Sequence, residues 1–352
     1  MTETYNNIPF FFIIGRPRSG TTLLQSLFDA HPNVIIPPES PVIVNLFNRY
    51  GKSSKVESFM PEKLISDLKS IRKFSMWPID EIRLKSELQN FNGNFQELIK
   101  TVYSSYKSPF TKNNINIFGD KNPIYSLFLK KITRIIPDAK IIYIIRDYRD
   151  HILSTKRVKL LLESTTIIAY RWKKSLIAIN KLKTKYPDKF FTIRYEDFVE
   201  NPVTEMKKMC EFLNIDFFPD VFDYYKKEPV FYDKMNREAF DLFHSALLKP
   251  INNSAVGKWK SSLSKKDIQT ADYICRKKST LYGYQPEYLK TNIKIFLHVL
   301  PRIIYIKLQE ILGFLIEFLP FRINMKIRGK RPFLTSIFLK IFMPKKYKKL
   351  VS

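Results

Sequence analysis

Cysteine is nearly absent from this 352-residue chain, with Cys210 and Cys275 the only two. Two thiols make neither a disulfide framework nor a metal-ligand cluster, so a reducing compartment is expected, with no metal site. Acidic residues are also scarce: 33 Asp+Glu stand against 60 Lys+Arg, a formal charge of +27. No apolar run reaches the roughly 18 to 20 uncharged residues that a spanning helix requires. The first strand is under way by residue 8, which leaves no secretory segment ahead of it. A cytoplasmic protein is the expectation. Apolar side chains, by contrast, make up 45% of the chain and aromatics 14%. That argues against general disorder and for one large domain, or one domain with attachments.

The positive excess is unevenly placed. From Thr291 onward there are thirteen Lys+Arg and two acids, Glu310 and Glu317. The reading is therefore a domain over 1–290 and a basic amphipathic helical tail over 291–352. In RIIYIKLQEILGFLIEFL (302–319), Gln309, Glu310, Gly313 and Glu317 share one stripe and apolar residues fill the rest. FLTSIFLKIF (333–342) is similarly apolar, and KKYKK (345–349) follows. A wide apolar face flanked by lysines reads as an interfacial helix on the inner, anionic face of a membrane. The alternative is a helical pair covering the protein's own core. Basic surface could also serve nucleic acid or a polyanionic small molecule; no nucleic-acid partner is expected.

The most informative stretch is FFIIGRPRSGTTLLQSLF (11–28). A β-favouring apolar run ends at Gly15, a turn follows, and Leu23, Leu24, Leu27 and Phe28 then recur at helical spacing. Strand, glycine-bracketed loop and helix is how a backbone wraps an oxyanion. Gly15 and Gly20 have the spacing of a phosphate-binding P-loop, and Thr22 stands at the Ser/Thr position. The lysine of that motif is missing; its place is Thr21, and the cations are Arg16 and Arg18 inside the loop. Such a site suits a terminal group less charged than a γ-phosphate and without a metal partner. A sulfuryl group fits.

Further along, the pattern predicts a mostly helical segment over 52–112 and a short strand at 115–118 running into Gly119-Asp120-Lys121-Asn122-Pro123. A buried strand at 140–145, a helix over 164–185, a strand and its exit at 190–198, and a helix over 202–214 follow. Strands alternating with helices imply an α/β fold: an open parallel sheet flanked by helices, P-loop NTPase-like, with ligands at the strand C-termini. Helical insertions on the acceptor side and the C-terminal tail complete it. Arg146 ends the 140–145 strand, and Ser154 follows two turns into the next helix. Both suit binding of a phosphate.

At this point the chain resembles the PAPS-dependent sulfotransferases. GRPRSGTTLL is similar to their 5′-phosphosulfate loop and IIYIIRDYRDHILS to their 3′-phosphate motif; RYEDF (194–198) and VGKWK (256–260) resemble two further landmarks. The likeness covers residues 8 to about 263 and is nearest to the tyrosylprotein and glycan branch, of bacterial type. It implies PAPS as donor and PAP as product. It also implies a donor site of Arg16, Arg18, Ser19, Gly20, Thr21, Thr22, Arg146, Ser154, Tyr195, Lys258, Trp259 and Lys260. Glu39 falls on that branch's catalytic glutamate and Lys121 on the lysine that stabilises the departing bridge oxygen. Arg18 and the loop amides would share that charge, while Glu39 takes the acceptor proton. Glu39 could instead cap a helix near Ser40. Two arginines by which the branch grips acidic peptides are Pro41 and Asn45 here, and a serine of the closing loop is Gly257.

The implied acceptor is therefore a hydroxyl of a carbohydrate, lipid or sterol. The 52–112 segment and the aromatics Phe231, Tyr232, Phe240 and Phe243 are expected to shape its pocket. Among the histidines, His31 is expected to cap carbonyls, His151 lies on the helix after Arg146, and His244 is a candidate second base. Rival readings are a P-loop kinase or NTPase, and a basic membrane-surface binder without catalysis. The first predicts a lysine at position 21 and an acidic metal ligand ending a strand, whereas Asp147 is expected to be committed to helix capping.

Overall fold

The computed structural model describes residues 5–53, 55–56, 60–89, 91–158, 164–227, 240–241, 244–290 and 293–316. Phe231, Tyr232, Phe243 and the basic segments after 316 lie outside the described residues. The chain groups into two compact units, Met1–His151 with Lys174–Lys258, and Ile152–Lys173 with Trp259–Ser352.

The first unit is built on a parallel sheet. Its strands are β1 (Phe10–Gly15), β2 (Val34–Ile35), β3 (Ile117–Lys121), β4 (Lys140–Ile145) and β5 (Phe190–Arg194), in the order β2-β3-β1-β4-β5. All six residues of β1 are buried, as a central strand covered on both faces requires, so it reads as an unbroken apolar run. After β3 the chain crosses β1 to form β4, which places the reversal of strand order, and hence the ligand crevice, beside the C-terminal end of β1. The ends of β1, β3, β4 and β5 carry Gly15, Lys121, Arg146 and Tyr195 to that edge. The expected 115–118 strand runs three residues further, because Lys121 pairs in register with Ile13. Lys121 is thus fixed by the sheet instead of riding on a loop. The two-residue β2, within the β-branched run Val34-Ile35-Ile36, is not among the expected strands.

Helix α1 (Thr21–Ala30) turns Leu24, Leu27 and Phe28 into the core, and α2 (Val42–Tyr50) follows the Glu39 loop. The 52–112 segment is helical as expected: α3 (Pro61–Ser70), α4 (Glu81–Gln89) and α5 (Phe95–Ser104). Asn94 caps α5, accepting from the amides of Gln96 and Glu97, and Glu97 answers from the third position. Next come α6 (Leu129–Ile135) and α7 (Tyr148–Arg157). α8 (Thr165–Lys185), α9 (Tyr195–Glu200) and α10 (Pro202–Leu213) complete the run. Phe240, expected at the acceptor, is instead fully buried among Phe28, Phe198 and Met206 in the core.

The second unit holds α11 (Trp259–Ser262), α12 (Lys265–Ser279) and α13 (Ile293–Ile316). Cys275 donates to the carbonyl of Ala169, and Trp172 meets Tyr284 edge to face. Asp267 pairs with Lys156 at 2.7 Å and also takes the hydroxyl of Thr165. These contacts join 259–290 to the first half of α8, so the unit starts well before the 290/291 division drawn from charge.

Gly20, the residue before α1, has φ +95°, and an added Cβ would stand 2.7 Å from the Tyr195 ring. Gly20→Ala should therefore lower unfolding free energy by roughly 1–2 kcal/mol for the left-handed backbone alone. Chemical denaturation checks this, and an unchanged midpoint would contradict it.

Candidate active site

Backbone geometry creates the anion cradle. Arg18 has φ +71° and Gly20 φ +95°, and alternation of left- and right-handed residues turns successive amides toward one side. The Ser19 amide donates to the Arg16 carbonyl and α1 begins at once, adding its N-terminal partial charge. At Gly15 a Cβ would lie 2.6 Å from the Ile144 carbonyl and 2.9 Å from Thr21, so β1 and β4 meet here as closely as backbones can. Ser19 and Thr21 are buried in the turn, and Arg16, Arg18 and Thr22 are half-buried.

Arg146 is brought directly against this loop. Its guanidinium donates to the Arg18 carbonyl at 3.0 Å and the Ala255 carbonyl at 2.6 Å, and lies 4.5 Å over the Tyr195 ring. Tyr195 in turn is the ring that packs against Gly20. Arg18 has its pKa lowered by burial first and by Arg146 second, as expected of two guanidiniums held close together. His151 is fully buried beside Arg16, Arg146 and Arg18, which all depress its pKa further, and its ring hydrogen-bonds the Pro17 backbone. It is a neutral brace under the loop, a role the sequence did not single out. Asp150 accepts from the Gly257 amide at 2.7 Å, tying the 256–258 loop to α7.

On the other side of the loop stands Glu39. Its Oε1 accepts from Lys73 at 2.8 Å and its Oε2 from Lys121 at 3.4 Å, and Lys121 also donates to Thr22 Oγ1 at 3.3 Å. Burial alone would push the Glu39 carboxyl up, but the Lys121 and Lys73 ammoniums outweigh it and bring it from 4.5 to about 2. Lys121 is itself buried, and burial pulls its pKa down against the support of Glu39. The capping alternative for Glu39 does not hold. Pro41 precedes α2, and no side chain caps that helix. Lys73 was missed because nothing in its surroundings in the sequence marks it.

His244 lies within the field of Lys121, Arg18, Lys73 and Glu39; burial and then those cations bring it down to about 3, so its imidazole is neutral at working pH. The His31 ring does not cap the carbonyls that end α1: Nε2 donates to the distant Asp216 carbonyl at 2.8 Å and Nδ1 accepts from the Asn33 amide, while its backbone N–H alone reaches the Phe28 carbonyl. Asp147 is committed as expected, accepting from the Arg149 amide and guanidinium. Beside Lys121, Asp120 is buried and raised to about 7, chiefly by burial, and accepts from Tyr103 at 2.8 Å. Of the remaining expected residues, Lys258 is exposed in the first unit. Ser154, half-buried on α7, together with buried Trp259 and exposed Lys260 on α11, belongs to the second unit. No cluster of metal-ligating side chains occurs among the described residues.

Because Glu39 titrates lower folded than unfolded, its ion pairs add stability above pH 4.5 that is lost as pH falls through about 2. Glu39→Gln should be less stable than the parent at pH 7 by on the order of 3 kcal/mol. The gap should close between pH 4.5 and 2, as read by denaturant unfolding across that window. A gap that does not change with pH would contradict the ion-pair account.

Against known proteins, the profile of the Sulfotransferase family matches residues 9–220. Protein-tyrosine sulfotransferase 1 of Danio rerio is 25% identical over 295 residues, covering 80% of this chain and 74% of that protein. Its counterpart from Homo sapiens is 26% identical over 308 residues, covering 83% and 75%. Among solved structures, the sulfotransferase domain from the curacin biosynthetic pathway superposes with a TM-score of 0.51 at 22% identity. It covers 79% of this chain and 99% of that domain, a likeness of fold. With the family profile spanning well over half the chain on a parallel sheet of the same kind, this protein belongs to the sulfotransferase family, enzymes that use PAPS as donor.

Proposed function

We propose that this enzyme moves the sulfuryl group of PAPS to a hydroxyl of a carbohydrate, lipid or sterol, with Glu39 as general base. The observation that carries the reading is the chain Glu39–Lys121–Thr22, which joins a carboxylate to the first turn of α1 through one buried ammonium. The donor set fits PAPS. Glycines with no room for a Cβ let the loop close tightly against β4 and Tyr195, and Arg18 and Arg146 concentrate positive charge at the same strand ends. Like charges this close repel one another, and a bound polyanion relieves that repulsion. PAPS, when bound, supplies a sulfuryl group on a phosphate leaving group.

The residues then divide the work. Glu39 Oε2 takes the acceptor proton, which an alcohol releases only as its oxygen bonds to sulfur; help of this kind is worth ~10²–10⁴-fold. Lys121 holds both Glu39 and Thr22 at long range and can turn toward charge growing on a bridging oxygen near the loop. As it turns, Glu39 keeps one cation instead of two and becomes a stronger base. Arg18 and the loop amides hold the remaining charge, each donor being worth on the order of 3 kcal/mol. Neutral His244 is a further acceptor of hydrogen bonds at the same place.

The curated relatives are protein-tyrosine sulfotransferases, so a tyrosine side chain is the competing acceptor. Against an acidic peptide stand Pro41 and Asn45, neutral where the resembling branch has arginines, and Lys73, whose ammonium is engaged by Glu39. The test is transfer of ³⁵S from labelled PAPS to a panel: an acidic tyrosine peptide, a neutral oligosaccharide, a sterol and a glycolipid. Label is expected on the neutral hydroxyls, and transfer to the peptide alone would overturn the acceptor. Glu39→Gln should lose ~10²-fold or more in turnover while binding PAP as the parent does. Arg146→Ala should weaken PAP by about 10- to 100-fold, the loss of a charge-assisted contact.

The acceptor's setting is read from α13, which buries Ile295, Val299 and Ile306 and carries a second apolar stripe that faces outward. Gln309 and Glu310 are half-buried, and Glu310 acts on half-buried Arg171 of α8 within the same unit. Ile293, Leu297, Ile304, Ile311 and Leu315, at four- and seven-residue steps, are each at least half exposed. No described helix is long and apolar enough to cross a membrane. An exposed apolar stripe in a segment of thirteen cations and two acids matches an anionic bilayer, apolar to acyl chains and basic to headgroups. The full chain should co-sediment with vesicles containing phosphatidylglycerol, less so at high salt. Leu297→Glu with Ile304→Glu and Ile311→Glu should abolish binding and spare turnover on a soluble acceptor. Indifference to those vesicles, or a stable dimer through this stripe, would overturn the assignment.

A further inference from the structure

Three consecutive residues around the base are each held by one turn of the 52–112 insertion. The Pro38 carbonyl accepts from Trp77 Nε1 at 2.7 Å, Glu39 Oε1 from Lys73 Nζ at 2.8 Å, and Ser40 Oγ donates to the Arg72 carbonyl at 3.0 Å. Residues 38, 39 and 40 are thus matched by 77, 73 and 72. Trp77 is buried, tilted against Phe74 and edge to face with Tyr103, so the turn is anchored to the body of the unit. Lys73 itself has φ +66°, a backbone conformation that side-chain-bearing residues seldom take. The turn is shaped so that an ammonium arrives at one carboxylate oxygen.

We propose that Lys73 is a positioning residue for sulfuryl transfer, pinning Glu39 Oε1 so that Oε2 alone faces Lys121 and Thr22 and receives the acceptor proton. The proposal rests on Glu39 being the base. Its physical content is division of labour between two cations. The Lys73 contact is short and lies away from the loop, whereas the Lys121 contacts to Glu39 and Thr22 are both long, at 3.4 and 3.3 Å. Lys121 can leave without freeing the carboxylate to rotate, because Lys73 still holds the other oxygen. A carboxylate tethered at neither oxygen would spread over rotamers, and misplacement by about 1 Å costs on the order of 10²-fold. The titratable groups facing Glu39 are Lys73 from the insertion, Lys121 and Asp120 from β3, and neutral His244. Lys73 is the one of these that lies neither on the sheet nor in the 240–248 segment. It also supplies one of the two positive charges that offset the burial of Glu39.

The test compares Lys73→Met, Lys73→Arg and Glu39→Gln, using the panel acceptor that turns over best. PAP affinity serves as the check on folding. Lys73→Met should lower kcat by about 10-fold or more and move the acid limb of kcat/KM up by about one pH unit or more, with PAP binding unchanged. Lys73→Arg should restore both. Should Lys73→Met fail to fold, Lys73→Asn removes the ammonium while tolerating the left-handed backbone. A second readout needs no acceptor: the Glu39 carboxyl, isolated by subtracting the Glu39→Gln spectrum of protein carrying ¹³C-carboxyl glutamate, should titrate at higher pH once Lys73 is gone. If Glu39→Gln is inactive but Lys73→Met keeps its kcat, acid limb and carboxyl titration, Lys73 is idle and this proposal falls while the base stands. If Glu39→Gln retains turnover, the base assignment itself fails and the Lys73 proposal fails with it.

Discussion

A methyl group on Gly15 would meet the Ile144 carbonyl at 2.6 Å, and one on Gly20 would meet the Tyr195 ring at 2.7 Å. Those two missing side chains let β1, β4 and β5 end at nearly one point. The loop after β1, Arg146 after β4 and Tyr195 after β5 therefore share a wall. Arg146 is stacked on the very ring that seats Gly20, and it reaches the loop through the Arg18 carbonyl. Burial first, and the neighbouring guanidiniums second, lower the pKa values of Arg18 and His151. A site that concentrates positive charge against solvation is prepared for an anion with charge at more than one place.

Opposite that wall the chemistry is balanced by one carboxylate and two ammoniums. Burial disfavours charge on Glu39, yet Lys121 and Lys73 more than reverse the effect. Glu39 is held ionised at any working pH, and its basicity is set by how many cations remain beside it. Lys121 is buried on a strand, its ammonium at long range from both Glu39 and Thr22; Lys73 is a third exposed on a turn and is held by the contacts of its neighbours. The strand-borne cation lies between Glu39 and the glycine loop, and the turn-borne cation holds the other carboxylate oxygen. Family membership names the reaction class, and this arrangement supplies its local physics.

Much of the architecture was legible in advance. The strand at 140–145, the helices over 164–185 and 202–214, the helical 52–112 segment and the glycine loop all depend on short-range signals. Hydrophobic period, proline at a helix start and glycine spacing are local, so a sequence displays them. Other features escaped for equally physical reasons. β3 runs to Lys121 because that residue pairs with Ile13, a partner more than a hundred positions away. Phe240 looked like pocket aromatic surface and is core, since aromatic content does not say which way a ring faces. Lys73 sits in an ordinary polar stretch and is distinguished only by folding against Glu39.

The sequence by itself determined that an oxyanion loop opens this chain, that a strand-end arginine follows it, and that an acid and a lysine lie at family-like positions. Composition likewise determined a strongly basic C-terminal segment. Tertiary structure decided the rest: that the arginine and loop touch, that Tyr195 is the surface joining them, and that Lys73 completes the pair on Glu39. It also decided that the apolar stripe of α13 faces outward while Gln309 and Glu310 turn in. The reason is that periodicity and spacing act along the chain, whereas ion pairing, stacking and burial act between residues that only the folded backbone brings within a few ångströms.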